Sequence, residues 1–421
     1  MPCVRNENVF YLRPMPPEVA DPVRVDLNDL DLFVAGVPHP EFDWLREHDP
    51  VAFNPEENGR GFWNLVRHGD VVHASRHHEV FSSAHGTNIP DPVGGAELMM
   101  INMDPPQHTR LRTLVSKGFH PKMIAKLEPH IREIAMNIVD NVAKKGECDF
   151  VVDVAAVLPL AVIAEMIGVP KEDHLKIFDW SNRLIGGGGG KDPEYGGTIE
   201  DARAAAMEMW AYTTELATQR RADRREDLVS ILVDAEVDGE RLEDMEFNMF
   251  VLLLSVAGNE TTRNLISGGN LLLMEHPDQR ERLIADPSLL PSAVNEMLRM
   301  VTPVMHFRRT LTRDFEVGGR QLSAGEKIVL WYIAANRDPA IFTDPHRFDV
   351  GREGCDHVTF GGGGAHFCLG FSLAELEIKI MFEELLNRLP DMQLAGPVAR
   401  LRSNFINGIK HLPVRFTPER G

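Results

Sequence analysis

The stretch that most limits what this chain can become is Phe360-Gly361-Gly362-Gly363-Gly364-Ala365-His366-Phe367-Cys368-Leu369-Gly370. A run of glycines does not form helix interior, because each costs about 1 kcal/mol relative to alanine. Immediately downstream, Leu369, Leu373, Leu376 and Ile380 recur at helical spacing. The pattern predicts a helix from about Cys368 to Leu389, so Cys368 stands where a glycine-rich loop meets a helix N-terminus. The helix dipole favours a thiolate there. Glycines let backbone N–H groups come close enough to tune the sulfur. A buried structural cysteine is the bland alternative. A phosphate loop fails, since no Lys-Ser/Thr follows the glycines. A protease-type nucleophile needs a histidine base, and His366, two residues away, is poorly placed to be one. Ligand and nucleophile both remain open from these residues.

Length and composition bound the rest. A chain of 421 residues can bury a large core and enclose a cofactor. Its hydrophobic fraction of 43% and charged fraction of 25% are those of a globular protein, which excludes disorder and rod-like folds. The 44 basic against 63 acidic residues leave a net charge of −19, which repels nucleic acid. Cys3, Cys148, Cys355 and Cys368 form no Cys-x-x-Cys pair, so neither a zinc site nor a disulfide framework is indicated. The apolar run Phe247 to Asn259 is too short to span a bilayer, and the N-terminus has no apolar signal stretch. A cytoplasmic, soluble protein without a membrane span is expected.

The first hundred residues are rich in proline and turn signals, with strand-like pieces such as Phe62 to Val66. Asp104-Pro105-Pro106-Gln107 reads as a helix start capped by Asp104. Long helical stretches follow to about residue 300, interrupted by Gly186 to Gly190, a flexible connector or a mobile lid. Residues 310–335 read as short strands with turns at Gly318-Gly319 and Ala324-Gly325, and the segment 404–416 as a hairpin-like end. The fold class is mostly α with a minor β part.

Three more patterns carry a bland and a functional reading. Ala257-Gly258-Asn259-Glu260-Thr261-Thr262 interrupts an apolar helix of about Met245 to Met274 with a glycine and polar residues. It is either a packing notch or a deliberate irregularity. Glu296 and Arg299 share a helix face three residues apart, as many surface pairs do. His108 and Arg112, four apart, share another.

Together these segments resemble the cytochrome P450 family, in which a Phe-Gly-x-Gly-x-His-x-Cys-x-Gly stretch holds a haem-ligating thiolate. Gly364, His366, Cys368 and Gly370 match it. Phe360 lies one residue further from the cysteine than in the commonest pattern. The resemblance covers roughly residues 60 to 415. It implies one structural domain with buried haem b: residues 60–421 as the haem-thiolate domain and residues 1–60 as an N-terminal segment packed on it. Cys368 is then the metal ligand. His108, Arg112, Arg309 and His366 hold the haem propionates. Glu260 and Thr261 relay protons to bound dioxygen. Glu296 and Arg299 form a structural network completed by Arg347 or Arg352, beside the turn Pro345 to Phe348. Asn336-Arg337-Asp338 fits the stretch before the cysteine loop.

The implied activity is monooxygenation, with one oxygen atom of O₂ inserted into a C–H bond of a hydrophobic small molecule. A branched lipid, isoprenoid, terpenoid or steroid is expected. Electrons would come from a separate ferredoxin with its reductase, because no flavin, nicotinamide or iron–sulfur fingerprint accompanies the motif. Leu253, Ala257, Val304 and Phe405 are candidates to line the substrate pocket, as are Leu254, Val256, Thr302, Met305, Ile406 and residues 83–100. A peroxide-driven peroxygenase and a non-enzymatic haem-thiolate sensor are the rival functions.

Overall fold

A computed structural model of the chain describes residues 25–420 apart from 58, 93–95, 186–191, 193, 195–197 and 238. The Gly186 to Gly190 run and residues 1–24 of the N-terminal segment lie outside the described residues.

Helices dominate, with a small mixed sheet to one side. Lys327–Trp331 lies at the centre of the sheet. It runs parallel to Phe62–Leu65, with Ile328 opposite Trp63, and antiparallel to His306–Leu311, with Leu330 opposite Phe307. Phe53–Asn54 and Phe81–Ser82 form the two edges. Strand alternation sends Ile328 and Leu330 into one apolar cluster and Val329 and Trp331 into another. The second cluster takes in Leu27, Phe33, Phe42 and Leu45, so residues 25–45 cover that face of the sheet.

The helical body has two further clusters. One joins Pro121–Ala143, Leu290–Val301 and Phe371–Arg388; the other joins Gln107–Ser116, Val157–Ile167, His174–Ile185 and Ile199–Ala222. The long helix Asp244–Glu275 runs through both, and a capping box between Glu243 and Glu246 starts it.

Several local readings need correction. The final helix begins at Phe371, with Gly370 as its cap, so Cys368 sits in the loop just before it. Asp104 does not cap its helix: its carboxylate accepts hydrogen bonds from the Ser82 hydroxyl and, at 2.8 Å, the Ser83 N–H. Tyr332–Ala335 is a helical turn, not strand. The C-terminal segment is not a hairpin, because Ile409–His411 pairs with Ala399–Arg400 while Pro413–Arg415 pairs with Gln393–Leu394 and Glu147–Asp149. Asp244–Glu275 is one unbroken helix through Gly258.

Candidate active site

The cysteine loop folds tightly on itself. The Cys368 N–H donates to the Phe360 carbonyl at 2.9 Å, and the Phe360 ring packs near Phe367 and Phe371, with centroids 6.5 and 6.2 Å away. The glycines serve close approach to a neighbouring helix, His68–Arg76. A Cβ on Gly364, which has φ of +78°, would lie 2.4 Å from the Ser75 carbonyl oxygen; one on Gly362 would lie 2.9 Å from the Val72 Cα. Arg76 Nε donates to the Gly362 carbonyl at 3.0 Å. Burial pushes the Cys368 thiol up, while the Gly370 N–H and the Arg112 charge pull it down.

The loop brings two guanidiniums and two imidazoles together from three elements. His108 and Arg112 come from Gln107–Ser116, Arg309 from the sheet and His366 from the loop itself. The His108 and His366 rings are 4.2 Å apart, and Arg112 donates to the Phe367 carbonyl at 2.6 Å. His108 Nδ1 and His366 Nε2 are buried without a hydrogen-bond partner. Burial and neighbouring guanidiniums push His108 down to about 4 and His366 down to about 2. Among the described ion pairs, no carboxylate pairs with Arg112 or Arg309. Two guanidiniums and two imidazoles turned on one place fit a group that brings two carboxylates.

Beneath the loop lies a buried charge network. Glu296 and Arg299 are both fully covered, with Arg299 Nε at 2.7 Å from Glu296 Oε2. Arg352 Nε donates to both carboxylate oxygens at 3.0 Å. Of the two arginines left open by the sequence, Arg352 makes this contact. Arg347 turns its side chain to solvent at 61% exposure and offers only its carbonyl. Asn336 knits the network to the cysteine loop, accepting from Val358 N–H and donating to the Thr359 and Thr302 hydroxyls. Thr302 is fully buried in a left-handed backbone (φ 44°), so it is part of this scaffold and not of a pocket wall.

The long helix presents a distinctive surface. From Phe247 to Leu271 every residue is buried except Leu253, Val256, Ala257, Gly258 and Thr261; Leu253, Ala257 and Thr261, four apart, share one face with Val256 beside it, while Gly258 turns toward Ile163. Leu253 and Leu369, the residue after Cys368, pack on the same apolar cluster. The Thr261 hydroxyl donates to the Ala257 carbonyl at 2.7 Å. Glu260 is not joined to it. Its carboxylate forms a buried ion pair with Arg263, which also reaches Asn182 at 3.2 Å. Burial raises the Glu260 pKa against the pull of Arg263. Val304 pairs with Ile406, and Met305 N–H donates to the Phe405 carbonyl at 2.8 Å, so residues 304–305 run antiparallel to residues 405–406, with the Phe405 ring against His306 and Phe307.

Comparison with known proteins agrees with this geometry. A methyl-branched lipid omega-hydroxylase of Mycobacterium tuberculosis is 43% identical over 419 residues, which cover 96% of each chain. The chain belongs to the cytochrome P450 family. The P450 family model itself matches residues 198–390. A steroid C26-monooxygenase of Rhodococcus jostii is 40% identical over 414 residues, covering 95% of this chain and 86% of that protein. A solved Mycobacterium marinum cytochrome P450 in complex with pseudoionone superposes with a TM-score of 0.88 at 38% identity, covering 95% of this chain and all of that one. This P450 is therefore a monooxygenase whose cofactor is haem b. Among the described residues, no helix is long and apolar enough to cross a membrane.

Sequence reasoning missed Arg76 and Tyr332, which is placed to hydrogen-bond Arg309 and Ser75. No local motif marks them; only the packing of the loop against the helix His68–Arg76 does.

Proposed function

We propose that this P450 hydroxylates a methyl-branched lipid, isoprenoid or steroid, with electrons delivered by a separate ferredoxin and its reductase in the cytoplasm. Residues 60–421 act as the haem domain, with the N-terminal segment as its cover. The accessible strip Leu253, Ala257 and Thr261, with Val256 beside it, carries this reading. It is open where the rest of the helix from Phe247 to Leu271 is buried, apart from Gly258, and it is mainly apolar. With Val304 and Phe405 it suits a hydrocarbon ligand that has few polar handles. The names of the mycobacterial and rhodococcal relatives support the lipid and steroid classes.

Cys368 would ligate the haem iron through its thiolate, and His108, Arg112, Arg309 and His366 would hold the two haem carboxylates. Thiolate-ligated haem supplies dioxygen activation, the electron-rich sulfur favouring O–O cleavage. Thr261 offers a hydroxyl on the open face of the helix. Glu260 holds a proton source one residue away, and must leave Arg263 to pass a proton on. Glu296, Arg299 and Arg352 fix the protein beneath the cysteine loop.

The test is a titration of the haem-loaded protein with phytanic acid, a monoterpenoid and cholestenone, read by the Soret shift. Turnover follows with NAD(P)H, ferredoxin and reductase, or with peroxide alone. Hydroxylated product with the electron-transfer chain, lost in Cys368→Ala, is the expected result. Binding of none of the three classes refutes the substrate reading; product with peroxide alone at equal rate refutes the ferredoxin.

A further inference from the structure

Arg308 and Arg309 are neighbours on one strand and so point to opposite faces of the sheet. Arg309 faces the cysteine loop. Arg308 is absorbed by a different segment, residues 85–91. Its own N–H donates to the Thr87 carbonyl at 2.7 Å. Its guanidinium, with no exposed side-chain surface, donates to the carbonyls of His85 at 2.5 Å and Ile89 at 3.1 Å, and to the Asp91 carboxylate at 2.7 Å. Lys327, on the adjacent strand and also buried, reaches the Ile89 carbonyl at 3.0 Å and Glu56 at 3.0 Å. Two buried cations thus grip one short loop mainly by its backbone.

The loop continues toward the active site. Thr87 donates to Asn102 at 2.8 Å, and Met100 and Met103 enter the apolar cluster that Leu253 and Leu254 share. The Met103 carbonyl meets the His366 ring. Residues 85–91 are therefore held by Arg308 and Met103 by the cysteine loop, and the Thr87–Asn102 hydrogen bond joins the two parts. A buried guanidinium is a costly way to stabilise a protein, since desolvation offsets much of what its contacts return. It is an effective way to impose one backbone arrangement, because every carbonyl must find its place on a planar fork.

We propose that Arg308 is a positioning residue for substrate. It holds residues 85–91 and, through the Thr87–Asn102 hydrogen bond, the wall at Met100 and Met103, so that this wall is set before the ligand arrives. The proposal rests on the hydroxylase reading and adds what shapes that pocket. Loss of Arg308 should weaken and blur substrate binding while leaving haem ligation intact.

The test uses the haem-loaded full chain and its variants Arg308→Met and Arg308→Lys, with phytanic acid as probe. In Arg308→Met the Kd from the Soret shift and the KM rise about tenfold and kcat stays within about twofold, the signature of lost binding and not of lost chemistry. Hydroxylation spreads over more carbons, and the carbon-monoxide difference spectrum of the reduced protein keeps its thiolate band. Arg308→Lys, which can make part of the contacts, falls between. A full thiolate band with Kd and KM unchanged in Arg308→Met overturns the proposal. So does a fall in kcat alone. Amide hydrogen exchange on the ligand-free wild type gives an independent check: the Arg308 N–H, which donates to the Thr87 carbonyl, should exchange slowly if the loop stays clamped. Exchange as fast as that of open surface turns overturns the proposal even if both variants lose haem. Wild-type protein that makes no hydroxylated product refutes the hydroxylase reading instead.

Discussion

Glu377 provides a quantitative check on the helical core. It lies on Phe371–Arg388, 3% exposed, and its Oε2 has no hydrogen-bond partner. Burial alone raises its pKa from 4.5 to about 8. Below about pH 4.5 the carboxyl is protonated both folded and unfolded and leaves stability unaffected. Between about pH 4.5 and pH 8 the unfolded chain gives up the proton and the folded chain keeps it. The unfolded state then binds fewer protons, so stability falls as pH rises, by about 1.4 kcal/mol per unit. At pH 7 the accumulated loss is about 3 kcal/mol, taking 2.5 units at that slope. Glu377→Gln removes the ionisation without changing the shape. With an unfolding entropy of about 0.9 kcal/mol/K for a chain of this length, the variant should melt about 3 °C above the wild type near pH 7. Near pH 5 the gain should shrink below about 1 °C. Thermal unfolding of both proteins from about pH 5 to pH 8, followed by circular dichroism, measures this. A difference in melting temperature that does not change with pH would refute the reasoning, because an amide's packing cost carries no proton.

The buried network separates its two arginines. Arg352→Ala strips two contacts from a fully covered Glu296 and should cost about 3 kcal/mol or more, with loss of the thiolate band, whereas Arg347→Ala should stay within about 0.5 kcal/mol of wild type; equal effects in chemical denaturation would refute the assignment. Gly364→Ala puts a Cβ 2.4 Å from a backbone oxygen at a positive φ, so the expressed protein should retain little haem per chain; full haem occupancy would contradict the close approach seen there. Thr261→Ala removes the one hydroxyl on the open helix face. Oxygen consumption should then continue while product per O₂ falls several-fold, and unchanged coupling would remove Thr261 from the proton route.

How far the sequence speaks depends on whether a pattern is local. The glycine loop, the cysteine and the helix after it occupy one continuous stretch, and their mutual placement follows from chain geometry. The turns at Gly318-Gly319 and Ala324-Gly325 lie between the strands that flank them for the same reason. Glu296 and Arg299 meet because three residues are nearly one helical turn. Their third partner is another matter. Arg347 and Arg352 are chemically equal, and only the course of the turn after Pro345 decides which one reaches the carboxylate. Glu260 and Thr261 show the converse error. Adjacency in sequence suggests a pair, but consecutive helix positions lie about 100° apart, and one side chain goes to Arg263 while the other faces the open strip. Arg308 and Arg309 are divided in the same way by a strand. Alternation alone tells that they separate; the pairing register with Lys327–Trp331 tells which of them meets the cysteine loop and which takes residues 85–91. The residues illegible in the sequence are therefore those whose partners lie far along the chain: Arg308 has contacts about 220 positions away, and Arg76 meets Gly362 286 positions away.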